Sequence, residues 1–444
     1  MKKILIVFVI FGLVGSAAAC SSVDALSGKS MEEIEFTANE FIEILSSENY
    51  GEARIYLDET LAQAIPERTL RSTWEGLTDQ YGPFLKKAGS RIEESGNDWT
   101  VNITCLFREQ AVDAKLVLND EGYVSGLFFV QTGSFPEVDE ETFKEVQLVV
   151  DAGDYPLPAV LTLPTEGDNF PAVILVHNSM LSDKNATIGP NKMFRDLSWE
   201  LASRGIAVLR YNKRSYEYNC AFANNYTYTA EEDIIEDALA AAKLLTNRLD
   251  MDHSQILVLG HGLGGTISPR LAKRSENVSG LIIMSGVARP IEKAVESQFE
   301  YLYSKGQEFL FEDKSIMDRI ERDLEELKEI YEKGEVLEKT VLGYPASYWL
   351  DLHEYEAASY AAHYVDVPML ILQGKRDYQA TEEDLRIWKE ALKGKDEVTF
   401  QLYPKLNHIY MEGEGDILPS EYIEPGNVEK YVIEDIVEWI QSLS

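Results

Sequence analysis

Eight short apolar runs recur in the second part of the chain, and helical stretches lie between most of them. Apolar strands that alternate with helices are typical of a mostly parallel sheet covered by helices on both faces. We therefore predict an α/β fold for residues 143–444, with ligand chemistry at the carboxyl ends of its strands. The runs occupy residues 146–150, 159–163, 172–176, 206–209, 256–259, 281–284, 368–372 and 398–402.

The chain is strongly acidic, because 41 Lys and Arg residues stand against 76 Asp and Glu residues, for a net charge of −35. Nucleic-acid complexes and adsorption to anionic membranes both rely on Lys and Arg, so the charge argues against either partner. The 444 residues suffice for two or three domains. Three cysteines are too few for a fold built on disulfides.

Residues 1–20 have the pattern of an export signal. Lys2 and Lys3 precede an apolar run at 4–14, which is too short to span a bilayer comfortably. The run ends in Ala17-Ala18-Ala19-Cys20. We predict a lipoprotein-type signal peptide in which Cys20 is lipidated, so that the protein is exported and anchored at the membrane or cell surface. The alternative is cleavage at the Ala-x-Ala site and release as a soluble secreted protein.

Residues 28–135 predict a small α+β domain. Apolar residues recur first at helical spacing and then, from Trp99 to Phe107, alternate with polar ones as in a strand. Two further strand-like runs follow, with a turn at residues 119–122. The domain offers no paired carboxylates, metal-ligand spacing or nucleophile, which favours a spacer or docking role. An acidic, Pro-containing linker at 134–142 follows it.

The glycine-rich segment 260–265 after the run 256–259 has two interpretations. Gly260, Gly262 and Gly265 satisfy the G-x-G-x-x-G dinucleotide fingerprint, but the next strand does not end in the acidic residue that would bind a ribose. The same segment has the frame of the nucleophile elbow G-x-S-x-G, with Gly262 in place of the serine. The elbow interpretation is favoured.

Two polar residues complete a set in the order nucleophile position, acid, histidine. Asp377 lies in the loop after the run 368–372, and His408 lies after the run 398–402. His177 follows the run 172–176, where the oxyanion loop of an α/β hydrolase begins. Ser179 and Ser285 are the candidates for a displaced nucleophile, although loop hydroxyls more often satisfy backbone groups.

With these motifs, the chain resembles the α/β-hydrolase-fold esterases, in particular a secreted group that carries a small N-terminal domain of unknown function. The resemblance implies a helical lid at about 290–360, Asp377 as the orienting acid, His408 as the base, and no cofactor or metal. Tyr344, Tyr348 and Trp349 are candidate pocket walls near the end of the lid. The matching segments are His177 with 188–192, 194–197, 210–214, 348–352, 373–378 and His408.

The chain departs from the family pattern at two positions. Gly262 has no side chain to act as a nucleophile, and Asn178 stands where the family prefers glycine after the histidine. The backbone N–H of Leu263 remains as an oxyanion donor, and Asn178 and Ser179 are expected to line the pocket. We therefore predict a relative of carboxylic-ester hydrolases whose activity is weak, altered or lost. The alternative is a non-catalytic exported protein that binds a small ester or acyl ligand, with the membrane contacted only through a lipid anchor.

Overall fold

A computed structural model describes residues 29–95, 98–108, 110–131, 135–223, 225–305, 314–334 and 338–443. The predicted signal peptide 1–20, with Cys20, lies outside these residues. Within the described ranges, no helix combines the length and the apolar character that a membrane crossing requires.

The N-terminal part is a small α+β domain, as predicted. Its helices are α1 (Met31–Ser46), α2 (Tyr50–Ala53), α3 (Glu59–Ala64) and α4 (Glu67–Tyr81). Its strands are β1 (Phe84–Ser95), β2 (Asp98–Phe107), β3 (Ala111–Leu118) and β4 (Val124–Gln131), which form an antiparallel meander in the order β1-β2-β3-β4. The alternating residues Val101, Ile103 and Cys105 of β2 are fully buried beneath α1.

Strand β1 was not predicted from the sequence. It lies at the edge of the sheet, where it pairs with β2 among the described strands, and its register shifts twice along its length. Polar residues such as Lys86, Lys87 and Ser90 interrupt the alternation that marks the other strands. The described side chains of β1 are exposed or only partly buried, so its sequence carries a weak apolar period.

The second part contains the large sheet. Its strands are β5 (Phe143–Val150), β6 (Leu157–Pro164), β7 (Phe170–Val176), β8 (Thr187–Ile188), β9 (Asn191–Lys192), β10 (Ala207–Tyr211), β11 (Met251–His261), β12 (Gly280–Met284), β13 (Thr340–Val341), β14 (Tyr344–Pro345), β15 (Met369–Gly374) and β16 (Val398–Tyr403). Among the described residues, eight of them form one sheet in the order β16-β15-β12-β11-β7-β10-β6-β5. Each of the eight predicted apolar runs falls within, or overlaps, one of these eight strands.

The helices of the second part are α5 (Met193–Ala202), α6 (Arg214–Glu217), α7 (Asn219–Ala223), α8 (Glu236–Thr246), α9 (Leu263–Arg274), α10 (Ile291–Ser304), α11 (Lys314–Lys333), α12 (Ala346–His353), α13 (Ala357–Tyr364), α14 (Glu382–Ala391) and α15 (Lys430–Ser442). A π-helical turn at Glu231–Ile235 leads into α8. Short 3-10 helices occur at Arg54–Tyr56, Glu140–Thr142 and Pro419–Ile423.

The direction of the strands decides where the chemistry can lie. β6 is antiparallel to both of its neighbours, whereas β10, β7, β11, β12, β15 and β16 are parallel. The carboxyl ends of the parallel strands therefore meet at one edge of the sheet. The loops after β7, β11, β15 and β16 carry Asn178, Gly262, Asp377 and His408 to that edge. The mostly parallel α/β-hydrolase sheet predicted from the sequence is confirmed.

An insertion between β12 and β15 carries α10, α11, β13, β14 and α12. The spacing of apolar residues predicted a helix in this segment, and Ile320, Leu327 and Ile330 of α11 are buried. Helix α11 packs against α10 and α12. Residues of α10, β14 and α12 reach the carboxyl edge of the sheet, so this insertion forms one wall of the site described next.

Candidate active site

The turn after β11 has the backbone shape of a nucleophile elbow, with Gly262 at its tip. Gly262 has φ 55° and ψ −119°, a conformation that L side chains rarely adopt. Its N–H donates to the carbonyl oxygen of Met284 at 2.9 Å, and α9 begins at the next residue. Gly264 allows a close approach of the two loops, since a Cβ there would lie 2.5 Å from the carbonyl oxygen of His177. A strand that turns this sharply into a helix is what the G-x-S-x-G frame forms.

The side chain of Asn178 fills the space in which a side chain at position 262 would lie. A Cβ placed on Gly262 would be 2.3 Å from Oδ1 and 2.6 Å from Nδ2 of Asn178. Oδ1 accepts hydrogen bonds from the backbone N–H groups of Leu263 at 3.0 Å and of Ser179 at 2.7 Å. Nδ2 lies 3.0 Å from Nε2 of His408. Because two N–H donors face Oδ1, the amide is oriented with its NH₂ group toward His408.

Asp377 and His408 form the buried acid–histidine pair that the motif order predicted. His408 Nδ1 lies 2.7 Å from Oδ2 of Asp377. The other oxygen, Oδ1, accepts hydrogen bonds from the N–H groups of Gln379 at 2.8 Å and Ala380 at 3.1 Å. An ionised carboxylate can only accept, so Nδ1 of His408 is the nitrogen that donates to it. The lone pair of Nε2 then faces the NH₂ group of Asn178.

The oxyanion loop is held from behind by Lys213, a buried cation. Its Nζ donates to the carbonyl oxygens of Asn178 at 3.2 Å and Ser179 at 3.1 Å, and it forms a 2.8 Å ion pair with Asp233. The hydroxyl of Tyr344, from the insertion, donates to the same carbonyl of Ser179. These bonds fix the direction of the Ser179 N–H independently of the Asn178 side chain. The sequence analysis gave no role to Lys213, and its only signal was membership of the matching segment 210–214.

Two further histidines pack beside the pair. His177 donates from Nε2 to the carbonyl oxygen of Tyr211 at 2.6 Å, and burial lowers its pKa to about 4. The ring of His261 packs on the ring of His408 with a centroid separation of 4.5 Å. Burial, and then the neighbouring His408, lower the pKa of His261 well below its ordinary value. Both rings are therefore neutral near pH 7 and support the loops as packed groups.

A pocket opens above these residues. Including its mouth, the space measures about 460 Å³. Val287, Ile291 and Leu352 give it apolar walls, and Tyr344, Tyr348 and Trp349 line it as the sequence analysis suggested. The full lining is Asn178, Ser179, Gly262, Leu263, Val287, Ile291, Gln298, Tyr344, Tyr348, Trp349, Leu352, Gln379 and His408.

The two candidate replacement nucleophiles have different positions. Ser179 lines the pocket, and its backbone N–H serves as a donor to Asn178. Ser285 is fully buried, and its hydroxyl donates to the hydroxyl of Tyr410 at 3.2 Å, away from the pocket lining. Over the described stretches of the chain, no group of three or more His, Cys, Asp or Glu side chains is arranged to hold a metal ion.

Comparison with known proteins shows the family of the chain. The model of the family described as serine aminopeptidase, S33, matches residues 191–415, and that of a protein family of unknown function (DUF3887) matches residues 38–127. Esterase EstD of Thermotoga maritima is 36% identical over 405 residues, which cover 90% of this chain and 93% of that protein.

Similar solved structures include a puromycin hydrolase and the Pyrococcus furiosus esterase PF2001. The puromycin hydrolase has a TM-score of 0.45 and 17% identity, with 82% of this chain and 48% of that chain covered. The P. furiosus esterase has a TM-score of 0.44 and 13% identity, with 70% of this chain and 97% of that chain covered.

Proposed function

The chain belongs to the family of α/β-hydrolase esterases with an N-terminal domain of unknown function, and on that basis we propose that its pocket binds carboxylic esters or acyl groups without forming an acyl-enzyme. A serine hydrolase attacks the ester carbonyl with a hydroxyl that its histidine deprotonates. Gly262 has no hydroxyl, so this step has no nucleophile at the elbow. The frame around it is retained, which favours binding over covalent chemistry.

The amide of Asn178 is the observation that carries the proposal. It spans the 3.0 Å contacts to Leu263 N and to His408 Nε2, and so occupies both the oxyanion position and the position of the missing hydroxyl. A water molecule poised for attack would need the same place beside Nε2, because a general base must lie within hydrogen-bond reach of the proton it takes. In this conformation the base is therefore engaged with a side chain of the protein itself.

The walls of the pocket support the choice of ligand class. Val287, Ile291 and Leu352 suit an apolar acyl chain, and the N–H groups of Leu263 and Ser179 suit a carbonyl oxygen. An apolar cleft with a few convergent polar groups is the usual form of a small-molecule site. The esterase name of the T. maritima relative favours an ester or acyl ligand over a peptide.

The intact pair of Asp377 and His408 favours a second candidate, which is slow hydrolysis by water. If the amide of Asn178 swung aside, His408 would be free to activate a water molecule. Serine hydrolases that lack a triad residue keep on the order of 10³–10⁴-fold catalysis over water from the oxyanion hole and binding. This candidate requires a rate that depends on His408.

Hydrolysis of p-nitrophenyl butyrate by the wild type and by His408→Ala separates the two functions. We expect equal rates, at the level of a heat-denatured sample. A fluorophosphonate probe, which labels activated serines, is expected to leave the wild type unlabelled. A wild-type rate that falls at least tenfold in His408→Ala would favour the second candidate, and labelling of the wild type would reject the loss of serine chemistry.

We further propose that the protein is exported and anchored by a lipid on Cys20. The positively charged start, the short apolar run and the cysteine after three alanines support this proposal. Metabolic labelling with an alkyne fatty acid is expected to mark the wild type and not Cys20→Ala. An unlabelled wild type would instead favour a soluble secreted protein.

A further inference from the structure

Building on the proposed function, we infer that the wild-type site selects primary carboxamides and carboxylic acids over esters. In its described conformation the site already holds a carboxamide, that of Asn178, on every polar group that faces it: Leu263 N, Ser179 N and His408 Nε2. A ligand that enters must displace this amide. A ligand can replace every hydrogen bond of the Asn178 amide only if it carries an acceptor and a donor in the same arrangement as that amide.

The pattern is fixed by groups that do not depend on Asn178. The Leu263 N–H belongs to the first turn of α9. The Ser179 N–H shares a peptide plane with the backbone carbonyl of Asn178, which accepts a hydrogen bond from Lys213. Two N–H donors demand a carbonyl oxygen at this point. A few ångströms away, Nε2 of His408 offers a lone pair, because Nδ1 donates to Asp377. That nitrogen demands an N–H or O–H donor.

A primary carboxamide and a protonated carboxylic acid each carry a carbonyl oxygen beside a donor on the same planar group. A carboxylic ester has the carbonyl oxygen, but its second oxygen has no hydrogen. In an enzyme with a serine, the serine hydroxyl satisfies the histidine while the ester binds. Here Gly262 supplies no hydroxyl, so a bound ester leaves Nε2 of His408 facing another acceptor. A buried acceptor left without a donor weakens binding, and we expect about tenfold or more.

The experiment measures dissociation constants of the full chain for four probes of equal acyl length: butyramide, butyric acid, methyl butyrate and N,N-dimethylbutyramide. Isothermal titration calorimetry is expected to rank butyramide at least about tenfold tighter than methyl butyrate. N,N-dimethylbutyramide, which keeps the carbonyl oxygen but has no N–H, is expected to bind as weakly as the ester. Equal or tighter binding of methyl butyrate would overturn the inference.

The pH dependence of the affinity for butyric acid gives an independent test. In the proposed hydrogen-bond pattern, butyric acid binds with its carboxyl proton, which the free carboxylate in solution lacks. From about pH 7 to about pH 9, its apparent affinity is therefore expected to fall about tenfold per pH unit, by proton linkage. The affinity for butyramide is expected to stay constant over the same range. A butyric acid affinity that does not change with pH would contradict the proposed hydrogen-bond pattern.

Variants connect these constants to the residues. Asn178→Gly removes the competing amide, so that the site is open in most molecules and not in a minor fraction of them. The affinity for butyramide is therefore expected to rise about tenfold or more. Asn277→Gly, in an exposed loop, is the matched control and is expected to leave the affinity unchanged. In His408→Ala the preference for butyramide over methyl butyrate is expected to disappear. No binding of butyramide to wild type or to Asn178→Gly would overturn the inference.

The two proposals fail in different ways. If the protein hydrolysed methyl butyrate in a way that depends on His408, the proposed function of binding without hydrolysis would be rejected, whatever the order of ligand affinities. Tight binding of methyl butyrate without hydrolysis would reject the preference for acids and amides and leave the proposed binding function standing.

Discussion

Introducing a serine at position 262 tests whether Gly262 and Asn178 form one structural unit. The Cβ of Gly262→Ser would lie 2.3 Å from Oδ1 of Asn178, far inside van der Waals contact. Two arrangements can relieve this overlap. Either Asn178 keeps its place and the elbow shifts, which misplaces the new hydroxyl, or Asn178 leaves and the hydroxyl reaches His408.

The hydrogen bonds of Asn178 set the cost of the productive arrangement. Its amide makes three of them, at 3.0 Å to Leu263 N, 2.7 Å to Ser179 N and 3.0 Å to His408 Nε2. At about 1 kcal/mol net each, their loss disfavours this arrangement by about 3 kcal/mol. That free energy corresponds to about a hundredfold in rate. Gly262→Ser alone is therefore expected to be about a hundredfold less active than Gly262→Ser with Asn178→Gly.

The assay is kcat/KM for p-nitrophenyl butyrate across the four members of the cycle: wild type, each single variant and the double variant. Asn178→Gly alone is expected to remain at the wild-type level, because it supplies no nucleophile. The double variant is expected to react with a fluorophosphonate probe and to lose its rate when His408→Ala is added. The reasoning is refuted if Gly262→Ser alone comes within about threefold of the double variant, since additive effects indicate uncoupled sites.

Three further predictions concern stability and reactivity. Burial lowers the pKa of His177 from its ordinary value of about 6.5 to about 4. Between these two values the unfolded chain binds more protons than the folded chain, so stability falls as the pH falls. Thermal unfolding is expected to show a loss of about 2 kcal/mol from this group at pH 5 relative to pH 8, and a smaller loss in His177→Gln; an unchanged pH profile would contradict this prediction. Lys213→Met removes the cation that pairs with the buried Asp233. Calorimetry is expected to show a loss of about 3–5 kcal/mol, which Lys213→Met with Asp233→Leu recovers in large part. A loss below about 1 kcal/mol in the single variant, the size typical of an exposed pair, would speak against a buried pair. Burial raises the pKa of the Cys105 thiol to about 12. Iodoacetamide at pH 8 is therefore expected to modify Cys105 only after the protein is unfolded in guanidinium, as measured by mass spectrometry. Alkylation of Cys105 in the folded protein would contradict its burial.

The sequence predicted those strands whose apolar residues form a continuous run or alternate with polar residues. Continuous apolar runs marked the strands of the large sheet, and the order of Gly262, Asp377 and His408 marked the site because parallel strands carry their following loops to one edge. The edge strand β1 was missed because it buries too little to impose a period on its sequence. The position of the Asn178 amide was also beyond prediction, since it depends on a side-chain conformation set by residues far apart in the chain.

Lys213 illustrates the same limit. A lysine in the segment 210–214 gives no sign that it bonds to the carbonyls of residues 178 and 179 and pairs with Asp233. Buried ion pairs between distant segments follow from tertiary packing and not from local pattern.

Asp377 is bound as firmly to its own loop as to His408. Two N–H groups, from Gln379 and Ala380, bind one of its oxygens, and Gln373 reaches the other at 3.4 Å. Selection for a folded loop would therefore be enough to preserve this aspartate even in a copy without catalytic activity. Among homologous genes, an acid–histidine pair would then survive as a relic in active and inactive copies alike. If the proposed coupling of positions 178 and 262 is right, the two identities are expected to vary together among homologous genes, with Asn178 accompanying Gly262 and a smaller residue at 178 accompanying a serine at 262.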